Sequence, residues 1–327
     1  MKPSRRSSAL WLGACILVTG LLPMLYYWSF PGQFRPQGPT SGFYATGVFE
    51  QWLMVATAFG IKPAYMLLSL IAIIWLWRQH APDLAALRWG LIAFWLGENA
   101  CSVEYMLFSG TSDFWEYLHN FGMAVCFSFV TYAVLEGMDL RLIKLSPPKD
   151  RCAALTLCRT CIKYTDVPCG LVRVFQMLIP ATLVAAIVLP CASLKTAAYD
   201  TSILGATVHY SENMADQLFE IRYCPALAIL LLTASWLVLL LKKTDPVHFS
   251  KVLFAAGVGP LGFGYLRLFL FAAFHDDIIQ FVVWEEVTEL VFSFAVLFML
   301  FVFRRTLFAK GGSAPGEAIG LAENPAH

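Results

Sequence analysis

Charge is scarce in this sequence. Asp, Glu, Lys and Arg make up 14% of its 327 residues, where a soluble domain carries roughly 25%. The formal net charge is only +1, so there is no basic surplus to neutralise phosphates, and nucleic acid is excluded as a partner. Also missing are a phosphate loop ending in Gly-Lys-Ser/Thr, a Gly-x-Ser-x-Gly elbow and a His-Glu-x-x-His motif. Their absence argues against nucleoside-triphosphate hydrolysis, α/β-hydrolase chemistry and zinc proteolysis of the familiar kinds. No internal repeat or long soluble domain interrupts the chain, and six histidines, scattered over both sides of the expected topology, are too few for a multi-haem cytochrome b.

What the chain has is apolar length. Hydrophobic residues make up 58% and aromatic residues 15%. Apolar runs near the ~20 residues that cross a bilayer's hydrocarbon fall at 9–29, 61–78, 87–108, 119–137, 171–191, 223–242, 250–274 and 279–303. The fold class is therefore all-α: an integral membrane protein with a polytopic bundle of about eight transmembrane helices. The first run follows Lys2, Arg5 and Arg6 but ends in Leu25-Tyr26-Tyr27-Trp28, without a small-residue cleavage site, and reads as a retained anchor. The stretch 48–60 is apolar but closes on Gly60-Ile61-Lys62-Pro63, which suggests a segment lying along the interface or re-entering.

Lys and Arg fall mostly on one set of loops: the N-terminus, 79–86, 138–173, 242–251 and the tail. By the preference of cations for the cytoplasmic side, these lie inside a cell or inner membrane, with both termini cytoplasmic. Residues 1–305 then form the membrane domain, and the polar segment 306–327 reads as a disordered cytoplasmic tail. The opposite loops are richer in acid and aromatic groups, including Asp113-Phe114-Trp115-Glu116 and His275-Asp276-Asp277.

Within the apolar runs sit Glu98, Glu104, Arg267, Glu285, Glu286 and Glu289. Ionisable groups are costly in lipid, so they mark a functional site by default. Glu285 and Glu289 share a helical face, and one Arg does not neutralise five carboxylates. A water-accessible polar cavity facing outward is expected, alongside a simpler reading in which Arg267 and one glutamate form a structural ion pair. Glu116 and His119 share another face at i, i+3, the spacing that supplies ligands in dimetal bundles. His275 with Asp276 offers a second imidazole, so haem or quinone joins the candidate cofactors at this end.

The loop 138–170 carries Cys152-x5-Cys158-x2-Cys161-x7-Cys169, four of nine cysteines. In a reducing cytoplasm such thiolates suit zinc or an iron–sulfur cluster. Cys191 and Cys224 stand at the opposite side, where a disulfide is one reading; Cys15, Cys101 and Cys126 read as packing residues. The glycines at 257, 259, 262 and 264, around Pro260, suggest close packing before a hinge. Three functions fit. The leading one is a redox subunit handling quinol or metal-linked electrons with partner subunits. The others are a proton- or ion-coupled transporter with a structural zinc loop, and a non-catalytic assembly or sensing protein.

Overall fold

The computed structural model describes residues 43–44, 46–108, 112–142, 170–188, 200–203, 205–241, 246–274 and 277–308. Over these the chain is mostly helical: α1 (Val48–Ala56), α2 (Lys62–Leu76), α3 (Pro82–Phe108), α4 (Asp113–Gly137), α5 (Gly170–Val188), α6 (Tyr210–Leu241), α7 (Pro246–Phe274), α8 (Ile278–Val302) and the short α9 (Arg304–Leu307). Among the described residues, four helices are long and apolar enough to cross a membrane, namely Val48–Leu76, Phe114–Arg141, Ile221–Leu241 and Val247–Phe274. The helices α3 and α8 match them in length, at 27 and 25 residues, and carry the buried acids. The expected helix at 9–29, residues 143–169 of the cysteine loop and the tail beyond 308 lie outside the described residues.

The stretch 48–60, expected to lie along the interface or re-enter, instead continues into α2 as part of one 29-residue helical span. The join is a π-turn at Thr57–Ile61. Its cause is Pro63, which has no N–H to give and whose ring crowds the preceding turn, so the ladder widens by one residue there. The Lys62 amide donates to the Thr57 carbonyl across that wide turn. Lys62 therefore lies within a span rather than at its end.

Outward-facing positions are apolar: Phe49, Ile74, Met177, Leu241, Phe269 and Phe298 are all more than half exposed, as befits a lipid-facing surface. Inside, α3 packs on α4, α4 on α7, α7 on α6 and α6 on α5, while α2 closes against α3 and α8 against α2 and α7. Small residues set the tightest approaches. A Cβ on Gly259 would lie 2.3 Å from the Phe127 carbonyl oxygen of α4, and one on Gly257 3.2 Å from Leu232 of α6. These glycines are packing surfaces, whereas Gly262 faces open space. The helix α7 runs on through Pro260.

A small sheet was not foreseen in the connection before α6. Strand β2 (Asp200–Ile203) pairs antiparallel with β3 (Ala206–His209) and parallel with β1 (Phe43–Tyr44). Gly205, with φ +83°, takes the left-handed conformation of the β2–β3 turn that glycine adopts without a Cβ clash. The Thr46 hydroxyl donates to the Ser202 carbonyl, tying the start of α1 to this sheet. The expected outer loop 192–222 is thus partly strand and partly the first turns of α6.

Candidate functional site

The buried charges of five helices meet in the half of the bundle nearer the sheet. The α3 and α4 backbones touch: a Cβ on Gly122 would stand 2.8 Å from the Gly97 Cα, and one on Gly97 3.1 Å from the His119 carbonyl oxygen. That approach turns His119 toward α3. Its Nδ1 lies 3.2 Å from the Gly97 carbonyl oxygen and 3.5 Å from Glu98 Oε1. Glu98 itself has no solvent exposure.

Lys62 and Tyr65, three residues apart on one face of α2, close the other side. The Lys62 ammonium donates to Glu98 Oε2 at 2.7 Å and to Glu286 Oε1 at 3.1 Å, and stands 3.6 Å from Cys101 Sγ. The Tyr65 hydroxyl bridges the same two carboxylates, at 2.5 Å from Glu98 Oε2 and 2.6 Å from Glu286 Oε2. On α8, Glu286 thus faces α2 and α3. Glu285 and Glu289 face α7, where the Arg267 guanidinium pairs with Glu285 and lies 3.7 Å from Glu289 Oε1. Arg267 also stacks over the Phe263 ring at 4.9 Å, a favourable arrangement for a desolvated guanidinium.

Four carboxylates, Glu98, Glu285, Glu286 and Glu289, therefore share two cations, Lys62 and Arg267. Oxygens of Glu98, Glu286 and Glu289 come within 4.8 Å of one another. Glu98 Oε1 and Glu289 Oε2 are buried with no hydrogen-bond partner. Beside Glu289 lies a cavity of about 60 Å³, walled by Phe94, Phe127, Phe263, Phe292 and Arg267 among others. It has room for a few waters at roughly 10–15 Å³ each. This cavity is small and mostly aromatic-walled, unlike the water-accessible polar cavity expected from sequence.

The remaining sequence candidates fall as follows. Glu104 is buried on α3. Glu116 accepts a hydrogen bond from Asn120 at 3.3 Å, while His119, its expected partner on the same face, turns to Glu98. Asp277 caps α8, its Oδ1 accepting from the amides of Ile279 and Gln280 at 3.0 and 3.1 Å. Cys126 and Cys224 are buried in the core with Phe94 and Tyr223. His275, Asp276, Cys152, Cys158, Cys161, Cys169 and Cys191 lie outside the described residues.

Sequence reading missed Lys62, Tyr65 and Cys101. The available signal was that Lys62 is the sole Lys or Arg between Val48 and Leu76. It also missed a second buried cluster at the opposite end of the bundle. There the Lys251 ammonium on α7 lies 2.5 Å from Glu136 Oε2 and 2.7 Å from Asp139 Oδ2. Arg141 holds Asp83 at the start of α3 with two bonds, at 2.6 and 3.2 Å. Comparison with known protein families, curated proteins and solved structures found no match for this chain.

Proposed function

We propose that the protein is a membrane permease for a cation, in which Glu98, Glu286 and Glu289 are the cation's ligands. Lys62 fills the site when it is empty. The observation that carries this reading is the convergence of Glu98 and Glu286 on one ammonium with Glu289 close beside them, the Oε1 of Glu98 and the Oε2 of Glu289 being buried without a hydrogen-bond partner. Charge in a membrane interior needs a partner, and an acid surplus around a tethered cation is a place for a second, mobile cation. Arg267 with Glu285 is the fixed part of the cluster; Lys62, on a flexible four-carbon stem, is the part able to move. The aromatic-walled cavity beside Glu289 gives a small ion and a few waters a position next to that carboxylate.

The reading takes eight crossings with both termini on the cytoplasmic side of a cell membrane, and zinc or an iron–sulfur cluster at Cys152, Cys158, Cys161 and Cys169. Tracer uptake into proteoliposomes tests it, with Na⁺, K⁺ and Zn²⁺ each supplied under an imposed gradient. Uptake of one of them that is lost in Glu286→Gln is the expected result. Vesicles that stay tight to all three, and to protons followed by a pH dye, would overturn it.

A redox role is the second reading. One observation favours it: the Tyr65 phenol already sits between Glu98 and Glu286 as a quinol hydroxyl would, poised for proton transfer to a carboxylate. Haem at His119 fits poorly, because its ring is packed against Gly97 and Glu98. The cavity beside Glu289, about 60 Å³, is also far below the ~300 Å³ and more of ordinary ligand pockets. A visible spectrum of the purified protein separates the readings: an iron–sulfur or haem band would favour electron transfer with partner subunits. A colourless protein that transports nothing would favour assembly or sensing.

A further inference from the structure

The donors that surround the Lys62 ammonium are not all oxygens. Glu98 and Cys101, at i and i+3 on α3, present a carboxylate and a thiol on the same face. The Gly97–Gly122 contact brings the His119 imidazole of α4 opposite them. The ligand atoms of these three residues lie within 4.8 Å of one another. Ligands of a tetrahedral zinc-type ion, bonded at about 2.0–2.3 Å, stand roughly 3.3–3.8 Å apart. Glu98 Oε1 and His119 Nδ1, at 3.5 Å, already meet that spacing, and the Oε1 atom is fully buried without a hydrogen-bond partner.

The donor types choose among cations. Calcium and magnesium take oxygen shells. A set of one thiolate, one imidazole and carboxylates suits zinc, cobalt, nickel, copper or ferrous iron. We infer that Glu98, Cys101 and His119 form a binding site for a divalent transition metal of the zinc class, with Glu286 or Glu289 completing the shell. The inference rests on reading this cluster as a cation site and names the cation it takes.

Lys62 sets the terms of occupancy. Its ammonium is held by Glu98 Oε2 and Glu286 Oε1 and stands 3.6 Å from Cys101 Sγ, so it engages the Glu98 carboxylate and the Cys101 thiol that the metal requires. Metal and ammonium therefore exclude each other, and the ammonium swings aside when the metal binds. Removing the ammonium leaves the ligands in place and strengthens metal binding.

The test is titration of the full-length detergent-solubilised protein with Co²⁺, whose bond to thiolate gives a charge-transfer absorption in the near ultraviolet. Cys152, Cys158, Cys161 and Cys169 are first replaced together by Ser, so that signal from that loop is removed. The expected result is one Co²⁺ per chain with a thiolate band, and no band after Cys101→Ser. His119→Ala should weaken binding by more than the ~10–100-fold that follows loss of an outer hydrogen-bond partner, and Lys62→Met should tighten it. Should the quadruple variant not fold, metal analysis of the wild-type loop background replaces it: Cys101→Ser and His119→Ala should each lower the zinc content by one per chain. A thiolate band that survives Cys101→Ser, or a zinc content unchanged in both variants, would overturn the inference. Metal binding without uptake into vesicles would leave this site standing and dismiss the permease; uptake of Na⁺ or K⁺ without metal binding would do the reverse.

Discussion

Two buried charge clusters lie on α4 about 25 Å apart, the length of the seventeen-residue interval from His119 to Glu136 at ~1.5 Å per residue. They use the same residue types to different ends. In the cluster around Lys251, each acid has a cation within 2.7 Å: Glu136 and Asp139 take Lys251, and Asp83 takes Arg141. These residues stand where α3 and α7 begin and α4 ends, so they fasten helix ends. In the cluster around Lys62 the acid surplus is larger, four carboxylates to two cations against three to two around Lys251, Glu289 lies 3.7 Å from Arg267, and a cavity adjoins Glu289. What separates a fastening from a site is the charge left over and the space beside it.

The comparison breaks most visibly at Lys251. Removing one partner of a buried ion cluster costs about 3–5 kcal/mol, because uncompensated charge stays behind. Lys251→Met should therefore lower stability by that amount in denaturation titrations, while cation uptake per folded molecule is unchanged. Lys251→Met combined with Glu136→Gln and Asp139→Asn should recover most of the loss. Failure to recover would mean that the cluster does more than fasten.

At Lys62 the same kind of change should behave differently. Lys62→Met is expected to destabilise the protein in metal-free buffer and to be restored by Zn²⁺, by about 2.7 kcal/mol at a hundredfold excess over the dissociation constant. Thermal melts with and without Zn²⁺ read this out, and a destabilisation that Zn²⁺ leaves untouched would align the two clusters as structural. Gly259→Ala sharpens the contrast from another side. Its Cβ would press on the Phe127 carbonyl and push apart α4 and α7, two of the helices common to both clusters. A loss of about 1–3 kcal/mol, typical of overpacking, is expected by denaturation. Glu116→Gln should have the smallest effect, below about 1 kcal/mol, since this carboxylate is partly exposed and its bond from Asn120 is long, at 3.3 Å.

The helices were legible because apolar length is a strong signal, and the acids of α3 and α8 were legible because charge stands out within it. Lys62 was not, for a physical reason: Gly60 and Pro63 resemble a helix end, whereas the chain absorbs Pro63 in a π-turn and continues. Cys101 looked like filler because a thiol's role depends on what faces it across the helix contact. The Lys251 cluster was hidden because Arg141 and Lys251 fall in the cation-rich loops 138–173 and 242–251, where a charge reads as solvated. The β2–β3 hairpin was signalled by Thr201, Ile203, Thr207 and Val208 around Gly205, but strands of four residues are weak signals beside twenty-residue helices.

The central claim is that the cluster around Lys62 moves a cation and the cluster around Lys251 does not. Its most direct test is the current from proteoliposomes adsorbed on a solid-supported membrane after a Zn²⁺ concentration jump, with wild type, Glu98→Gln and Lys251→Met prepared in parallel. A transient current in wild type and in the folded fraction of Lys251→Met, absent in Glu98→Gln, is the predicted result. Equal currents in all three, or none in wild type, would contradict it.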